Sequence, residues 1–377
     1  MTAPRAHGRR RYALRSCGLA LLLLTTHRLC RADDWPFGDR ATGTWNGARP
    51  TLEERGVHFE ASYTAETFAR DDDAVTAHGN LDLQIALDTE KARLWPGGSV
   101  LVYGQDGHGD GISSRPGFAM PVSNYEAPDF TQLSELWLRQ ELPHGVAFRL
   151  GKQDANRDFA APRFGGNFMN SSFGVLPTSP LPSYPAPALG AAVFLQTTEW
   201  LALRGGVYEG DSRSESVGSR AFDSGSGAFA IGAAHVDVGE LGARDILVQL
   251  GGWHHTELER TGAFGIVDFY LPLPKGGERD HRAVQIFARA NVEPEATAPD
   301  AKVYLGGGAT AHGLVGAHNT VGLGFGYVSV TDADQGFIEA FFKWRPLVWF
   351  SVEPDLQFYF LGGDTHVVTG LRCKVKL

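Results

Sequence analysis

The amino-acid sequence predicts an all-β protein: a transmembrane antiparallel β-barrel of about sixteen strands, preceded by a short N-terminal segment. Three observations predict it. Apolar and polar residues alternate one for one over long stretches, full charges sit in the polar rows, and no convincing amphipathic helix follows residue 56. Glycine supplies 47 of the 377 residues, well above the usual ~7 %. It shows no collagen period, which suits strands, turns and close backbone approaches.

Residues 1–32 read as a cleaved export signal. "MTAPRAHGRRRYALR" carries five arginines and no acid, "CGLALLLLTT" is a short apolar core, and Cys30 and Ala32 offer small residues for cleavage after Ala32. Ten apolar residues are too few for the ~20 that cross a bilayer as a helix. Removing the segment takes away seven basic residues and leaves a net charge of −16. Nucleic acid is a poor partner for such a surface. Cys17 and Cys30 leave with the signal, so Cys373 remains alone and no internal disulfide can form.

Residues 33–56 precede the barrel, and "RPTLEERG" within them suggests a short helical periplasmic segment. The barrel is expected over residues 57–377. "VHFEASYTAE" sets Val57, Phe59, Ala61 and Tyr63 against His58, Glu60, Ser62 and Thr64. "GNLDLQIALDTE" sets Leu81, Leu83, Ile85 and Leu87 against Asn80, Asp82, Gln84 and Asp88. Further candidates include "TQLSELWLRQEL", "GVAFRLGKQ", "GAAVFLQTTEW", "DILVQLGGWHH", "HRAVQIFARANVE" and "NTVGLGFGYVSV". "SVEPDLQFYF" and "VVTGLRCKVKL" close the series, the last opposing Leu371, Cys373 and Val375 to Arg372, Lys374 and Lys376.

A soluble sandwich would use strands of ~5–6 residues and face its apolar row inward. The stretches here are longer, and their polar rows hold Asp82, Asp88, Glu135, Arg139, Arg149 and Glu353. An apolar core penalises unpaired charges of this kind, whereas a water-filled lumen tolerates them. Closure also removes the sheet edges that lipid cannot hydrogen-bond. Trp95, Trp137, Trp200, Trp253, Trp344, Trp349 and Tyr359 are then expected to form interfacial girdles.

One segment gives the chain a relationship. "PVSNYEAPDFTQLSELWLRQEL" (residues 121–142) resembles the signature of the carbohydrate-selective porins, the OprB-type family. "TGTWNGARPTLEERGV", "GNLDLQIALDTEKARLWPGG", "RLGKQDANRDFA", "NFMNSSFG", "YPAPALGAAV" and "WFSVEPDLQFYFLGG" follow in the family's order across residues 42–377. The resemblance implies a sixteen-stranded outer-membrane barrel of a Gram-negative bacterium. It implies passive diffusion of monosaccharides such as glucose through a charged, arginine-containing constriction made by inward-folded loops. Two departures stand out: the chain ends in Leu377 where the family ends in an aromatic, and Tyr125 replaces the usual aliphatic before Glu126.

Two long stretches are the constriction candidates, since function concentrates in long loops. Residues 104–130 contribute Arg115, Asn124, Glu126 and Asp129; residues 156–189 contribute Arg157, Arg163 and Asn167 among six prolines. The strand rows add Glu135, Arg139 and Arg149, with Trp137 between the first two on the same face. Sugars and outer-membrane lipid are the expected partners, no cofactor or metal is expected, and monomer and homotrimer both stay open. For each charge, solvating the wall is the simpler duty. The competing function is an outer-membrane barrel serving as an enzyme or adhesin platform, but no nucleophile–base pair is visible in the loops. His254 and His255 would point to opposite faces of a strand, which argues against zinc. "GQDGHGDG" is expected to be a glycine-rich turn rather than a calcium loop.

Overall fold

The computed structural model describes residues 39–113, 117–177, 179–210, 227–239, 245–273, 282–296, 301–330 and 334–377. The expected signal, with Cys17 and Cys30, and Arg115 lie outside the described residues.

Sixteen strands form, as the alternation predicts. They are β1 (Val57–Arg70), β2 (Val75–Asp88), β3 (Gly98–Gly109), β4 (Phe130–Leu142), β5 (Val146–Gln153), β6 (Ala188–Thr198), β7 (Leu201–Glu209) and β8 (Ala228–Asp237). The second half comprises β9 (Ile246–His255), β10 (Arg260–Pro272), β11 (Ala283–Val292), β12 (Ala301–His312), β13 (Thr320–Val330), β14 (Gln335–Leu347), β15 (Phe350–Leu361) and β16 (Asp364–Lys376). Each pairs antiparallel with its sequence neighbours, and β16 closes on β1 in the register Ser62↔Lys376 and Glu66↔Arg372. Every strand edge is therefore used. Among the described residues, no helix is long and apolar enough to cross a membrane.

The two longest of the connections lie at one end of the barrel, where short turns also occur. At the end where β1 starts and β16 finishes, β4–β5, β6–β7 and β14–β15 are joined by residues 143–145, 199–200 and 348–349. At the opposite end, residues 110–129 and 154–187 form two long loops. A short helix, α1 (Ala48–Glu54), packs near β1. Its Arg49 guanidinium lies 4.2 Å from the Trp45 ring centroid and donates to the Leu377 carbonyl at 3.3 Å. The Leu377 amide donates to the Ala61 carbonyl at 2.8 Å. The last residue is thus fixed by its backbone, whatever its side chain.

The alternation sorts side chains between two faces. Leu83, Ile85, Val102, Leu136, Leu150, Leu203, Leu323, Phe325 and Leu371 are exposed on the outside of the cylinder. Thr64, Glu66, Asn80, Asp82, Gln105, Arg149, Glu339, Glu353 and Arg372 are buried within it. An apolar exterior of this extent requires an apolar surrounding.

The interior departs from the expectation of a wet inner row all round. Phe229, Trp253, Phe264, Phe287, Phe337 and Phe341 project inward from β8–β14 and are buried. Tyr359 and Trp137 also face inward, so these two and Trp253 do not belong to girdles. The reason is the loops, which fold into the barrel and bring Phe118, Met120, Phe159, Phe164, Phe168, Met169, Phe173 and Leu176 against these rings. Each phenylalanine so buried contributes about 1.5–3 kcal/mol. Two close approaches explain part of the glycine excess. A Cβ added at Gly308 would lie 2.6 Å from Phe168 Cζ, and one at Gly324 2.7 Å from Phe173 Cζ.

The "GQDGHG" stretch is strand, not turn: β3 continues to Gly109. Asp106 and His108 fall on its outward row. His108 Nδ1 lies 2.9 Å from Asp106 Oδ1, and His108 Nε2 lies 3.0 Å from the Tyr63 hydroxyl.

Candidate functional site

The first loop, residues 110–129, is closed at its base and tied to one wall. Glu126 accepts from the Ser113 amide at 2.8 Å and from its hydroxyl at 2.5 Å, while Asp129 accepts from the Gly109 amide at 2.9 Å. Ser123 donates to Glu66 on β1 at 2.6 Å, and Asn124 accepts from Arg372 on β16 at 2.7 Å. Gln357 and Tyr359 on β15 donate to the carbonyls of Val122 and Met120, both at 3.0 Å. The Phe118 ring stacks on Tyr359 with centroids 3.9 Å apart.

The second loop, residues 154–187, crosses the lumen and carries two single-turn helices, α2 (Asn156–Phe159) and α3 (Ser171–Gly174). Arg157 pairs with Glu135 at 2.9 Å, Asp158 with Arg149, and Arg163 with Asp245 at 2.7 Å. Further along, Glu339 on β14 accepts from the amides of Met169 and Asn170 at 2.7 and 3.0 Å. Arg289 on β11 donates to the carbonyls of Ala160, Ser172, Phe173 and Val175 at 3.1–3.3 Å. One guanidinium thereby satisfies carbonyls that irregular backbone would otherwise leave unpaired inside the barrel.

The loops also hold each other. The Asn124 amide donates to the Met169 carbonyl at 2.7 Å, Ser171 to Pro121 at 3.1 Å, and the Tyr184 hydroxyl to the Tyr125 carbonyl at 2.7 Å. Burial within the loops pushes the Glu126 carboxyl above its ordinary range. Burial and then the nearby Glu135 carboxylate push Asp154 up to about 6.

Among the described residues, polar cavities lie beside this plug. The first, of about 270 Å³, is lined by Glu60, Ser62, Asp82, Gln84, Tyr103 and Tyr125 together with Arg40, Lys374 and Lys376. The second, of about 230 Å³, also touches Tyr125, Lys374 and Lys376, and adds Lys343, Arg345, Glu353 and Arg372. Both are smaller than the ~300–1,000 Å³ of tight small-molecule sites, as suits a ligand that must leave again. A third cavity, of about 180 Å³, lies by Arg139, Asp158, Phe194 and Arg204.

The sequence-derived candidates fall into three groups. Asn124, Glu126 and Asp129 are loop anchors, and only Asn124 lines one of these cavities. Glu135, Trp137, Arg139 and Arg149 share the inward face of β4 and β5. There Trp137 donates to Glu135 at 3.0 Å, the Arg149 guanidinium lies 5.1 Å from the Trp137 ring, and the Arg139 guanidinium 4.6 Å from that of Phe194. Arg163 stands apart, paired with Asp245. Sequence reasoning missed Glu66, Arg289, Glu339 and Tyr125 as participants. The first three carried a legible sign, an ionisable residue in the polar row of a long alternating strand. Among the described residues, no group of three or more His, Cys, Asp or Glu side chains is arranged to hold a metal ion.

The family model of the carbohydrate-selective porins, OprB family, matches residues 72–257, from the β1–β2 turn to just beyond β9. This chain is a carbohydrate-selective porin of the OprB family. The membership fits a closed barrel narrowed by inward-folded loops and favours a transport channel over a barrel used as an enzyme or adhesin platform. No curated protein matches the chain. Among solved structures, the porin is similar to the high-pH structure of Pseudomonas putida OprB, with a TM-score of 0.80 at 18% identity over 90% of this chain and 98% of that one. The low-pH structure of the same protein gives a TM-score of 0.66 at 16% identity, over 91% and 100%. A mutant Rh. blastica porin gives 0.53 at 12% identity, over 85% and 100%. At such identities the likeness establishes the fold.

Proposed function

We propose that this porin resides in the outer membrane of a Gram-negative bacterium and lets monosaccharides such as glucose diffuse passively past its two inward-folded loops. The lipid of that membrane would bathe the outward rows of Leu83, Ile85, Leu323 and Phe325. The C-terminal residue and α1 would face the periplasm, and the long loops would enter from outside the cell. Residues 33–56 then form the periplasmic segment and residues 57–377 the barrel.

The observation that carries this reading is the pair of polar cavities that share Tyr125, Lys374 and Lys376 between the first loop and the β14–β16, β1–β3 wall. Ser62, Gln84 and Asp82 offer hydroxyl, amide and carboxylate groups to sugar hydroxyls there, replacing water one contact at a time. Asn124, Glu126, Asp129 and Arg115 would shape the first loop at the constriction. Glu135, Trp137, Arg139, Arg149 and Arg163 would do the same along the second.

A glucose titration of single-channel current in planar bilayers tests the proposal. Glucose should reduce the ion current along a saturating curve, and an acyclic hexitol of similar size should not. Equal, unsaturable attenuation by both would overturn it.

A further inference from the structure

We infer that the passage favours monosaccharides that carry an acid group, bound through a file of three uncompensated cations on the inner face of β14 and β16. The inference rests on the sugar-porin passage proposed above and concerns which sugars that passage holds best.

The cations are Arg345, Lys374 and Lys376. They line the second cavity together, and the two lysines also line the first. Most other luminal cations near the loops are spoken for. Arg372 is bonded to Glu66, Lys343 pairs with Glu353 at 3.0 Å, Arg157 with Glu135, and Arg149 with Asp158. By contrast, among the described residues none of Arg345, Lys374 and Lys376 has a carboxylate within ion-pair distance. The second cavity holds Lys343, Arg345, Arg372, Lys374 and Lys376 against the single acid Glu353. In a chain whose sequence carries 43 acidic and 34 basic residues, that local excess of positive charge runs against the whole. Low-dielectric walls focus such a field and raise the local concentration of anions.

Tyr125 sets where the ligand sits. It lines both cavities, and the Lys374 ammonium lies 3.3 Å from its hydroxyl and 5.9 Å from its ring centre. Arg372 holds the same ring from 5.0 Å, and Tyr184 meets it edge-on at 6.2 Å. The ring is therefore a fixed lip between a chamber of hydroxyl-binding groups (Ser62, Gln84, Asp82) and a chamber of cations. A sugar acid fits this polarity, with its ring hydroxyls in the first chamber and its anionic group in the second. A neutral hexose fills only the first set of contacts.

The test uses the mature porin in planar bilayers at low salt, where the cations are least screened, titrated with glucose, glucuronate and glucose 6-phosphate. Both anions should bind more tightly than glucose, and whichever binds better identifies carboxylate or phosphate as the preferred group. Replacing Arg345, Lys374 or Lys376 by Gln should weaken glucuronate by about 1.5- to 5-fold per cation, the range of solvent-accessible ion pairs, and so lower the glucuronate-to-glucose affinity ratio. Lys374→Arg should retain the preference, and Tyr125→Leu should weaken neutral and acidic sugars alike. A wild-type channel that responds to glucose but no more strongly to either anion overturns this inference alone. An unchanged glucuronate-to-glucose ratio in the Gln variants does the same. A channel indifferent to glucose overturns the reading beneath it.

Discussion

At the scale of single residues, the interior is governed by who accepts backbone hydrogen bonds from the loops. Glu339, Glu66 and Arg289 are charges placed deep in the barrel, and each spends its charge on loop backbone, a loop side chain or a neighbouring cation. Buried charges persist when paired or fully hydrogen-bonded. Their strands were legible in sequence, but their partners were not. Glu66 meets Ser123 and Glu339 meets Met169 across 57 and 170 residues, and no local pattern encodes such a pairing. Asp154 gives a prediction at this scale. It sits at the base of the second loop among Glu135, Arg157 and Ser183, and its folded pKa of about 6 exceeds its ordinary value of 3.8. The proton therefore favours the folded loop. The contribution is complete below pH ~4 and is lost as pH rises through about 6. Thermal unfolding in detergent should show the wild type losing melting temperature relative to Asp154→Asn across that window. Parallel curves for the two proteins would contradict the assignment.

At the scale of elements, strands and loops differ in how they are written. A strand with one apolar and one polar face declares itself by a period of two, so a count of about sixteen could be expected from sequence, although the glycine-rich end of β3 read as a turn. Not all the inner aromatics could be assigned the same way. Trp137 shares its row with Glu135 and Arg139, which already points it inward, whereas Trp253 and Tyr359 are residue types that also form interfacial girdles, and the folded loops show that they face inward. The glycines of "GLGFGY" show the same dependence. Gly324 lies on β13 directly opposite Phe173 and Phe168, so its missing side chain belongs to the plug as much as to the wall. Gly324→Val should displace both rings and destabilise the protein by about 1–3 kcal/mol, read as a lower melting temperature. It should also raise single-channel conductance as the second loop loosens. A stable variant with unchanged conductance would show that the rings do not hold that loop.

At the scale of the whole molecule, the sequence predicted the cylinder and the family correctly and left the lumen too open. Period-two alternation says which face of a strand is wet, but not whether water or another segment of the chain meets it. Here the two loops take most of the space along β8–β14 and leave polar cavities beside β14–β16, β1–β3 and β4–β7. A barrel this filled should discriminate strongly by size. The central claim, an apolar exterior around a narrow sugar-conducting interior, is tested most directly by swelling of proteoliposomes containing the mature protein in isosmotic sugar. Swelling should be rapid in glucose and almost absent in a trisaccharide, with protein-free vesicles silent in both. Equal rates for the two sugars, or no swelling above the protein-free control, would contradict the claim.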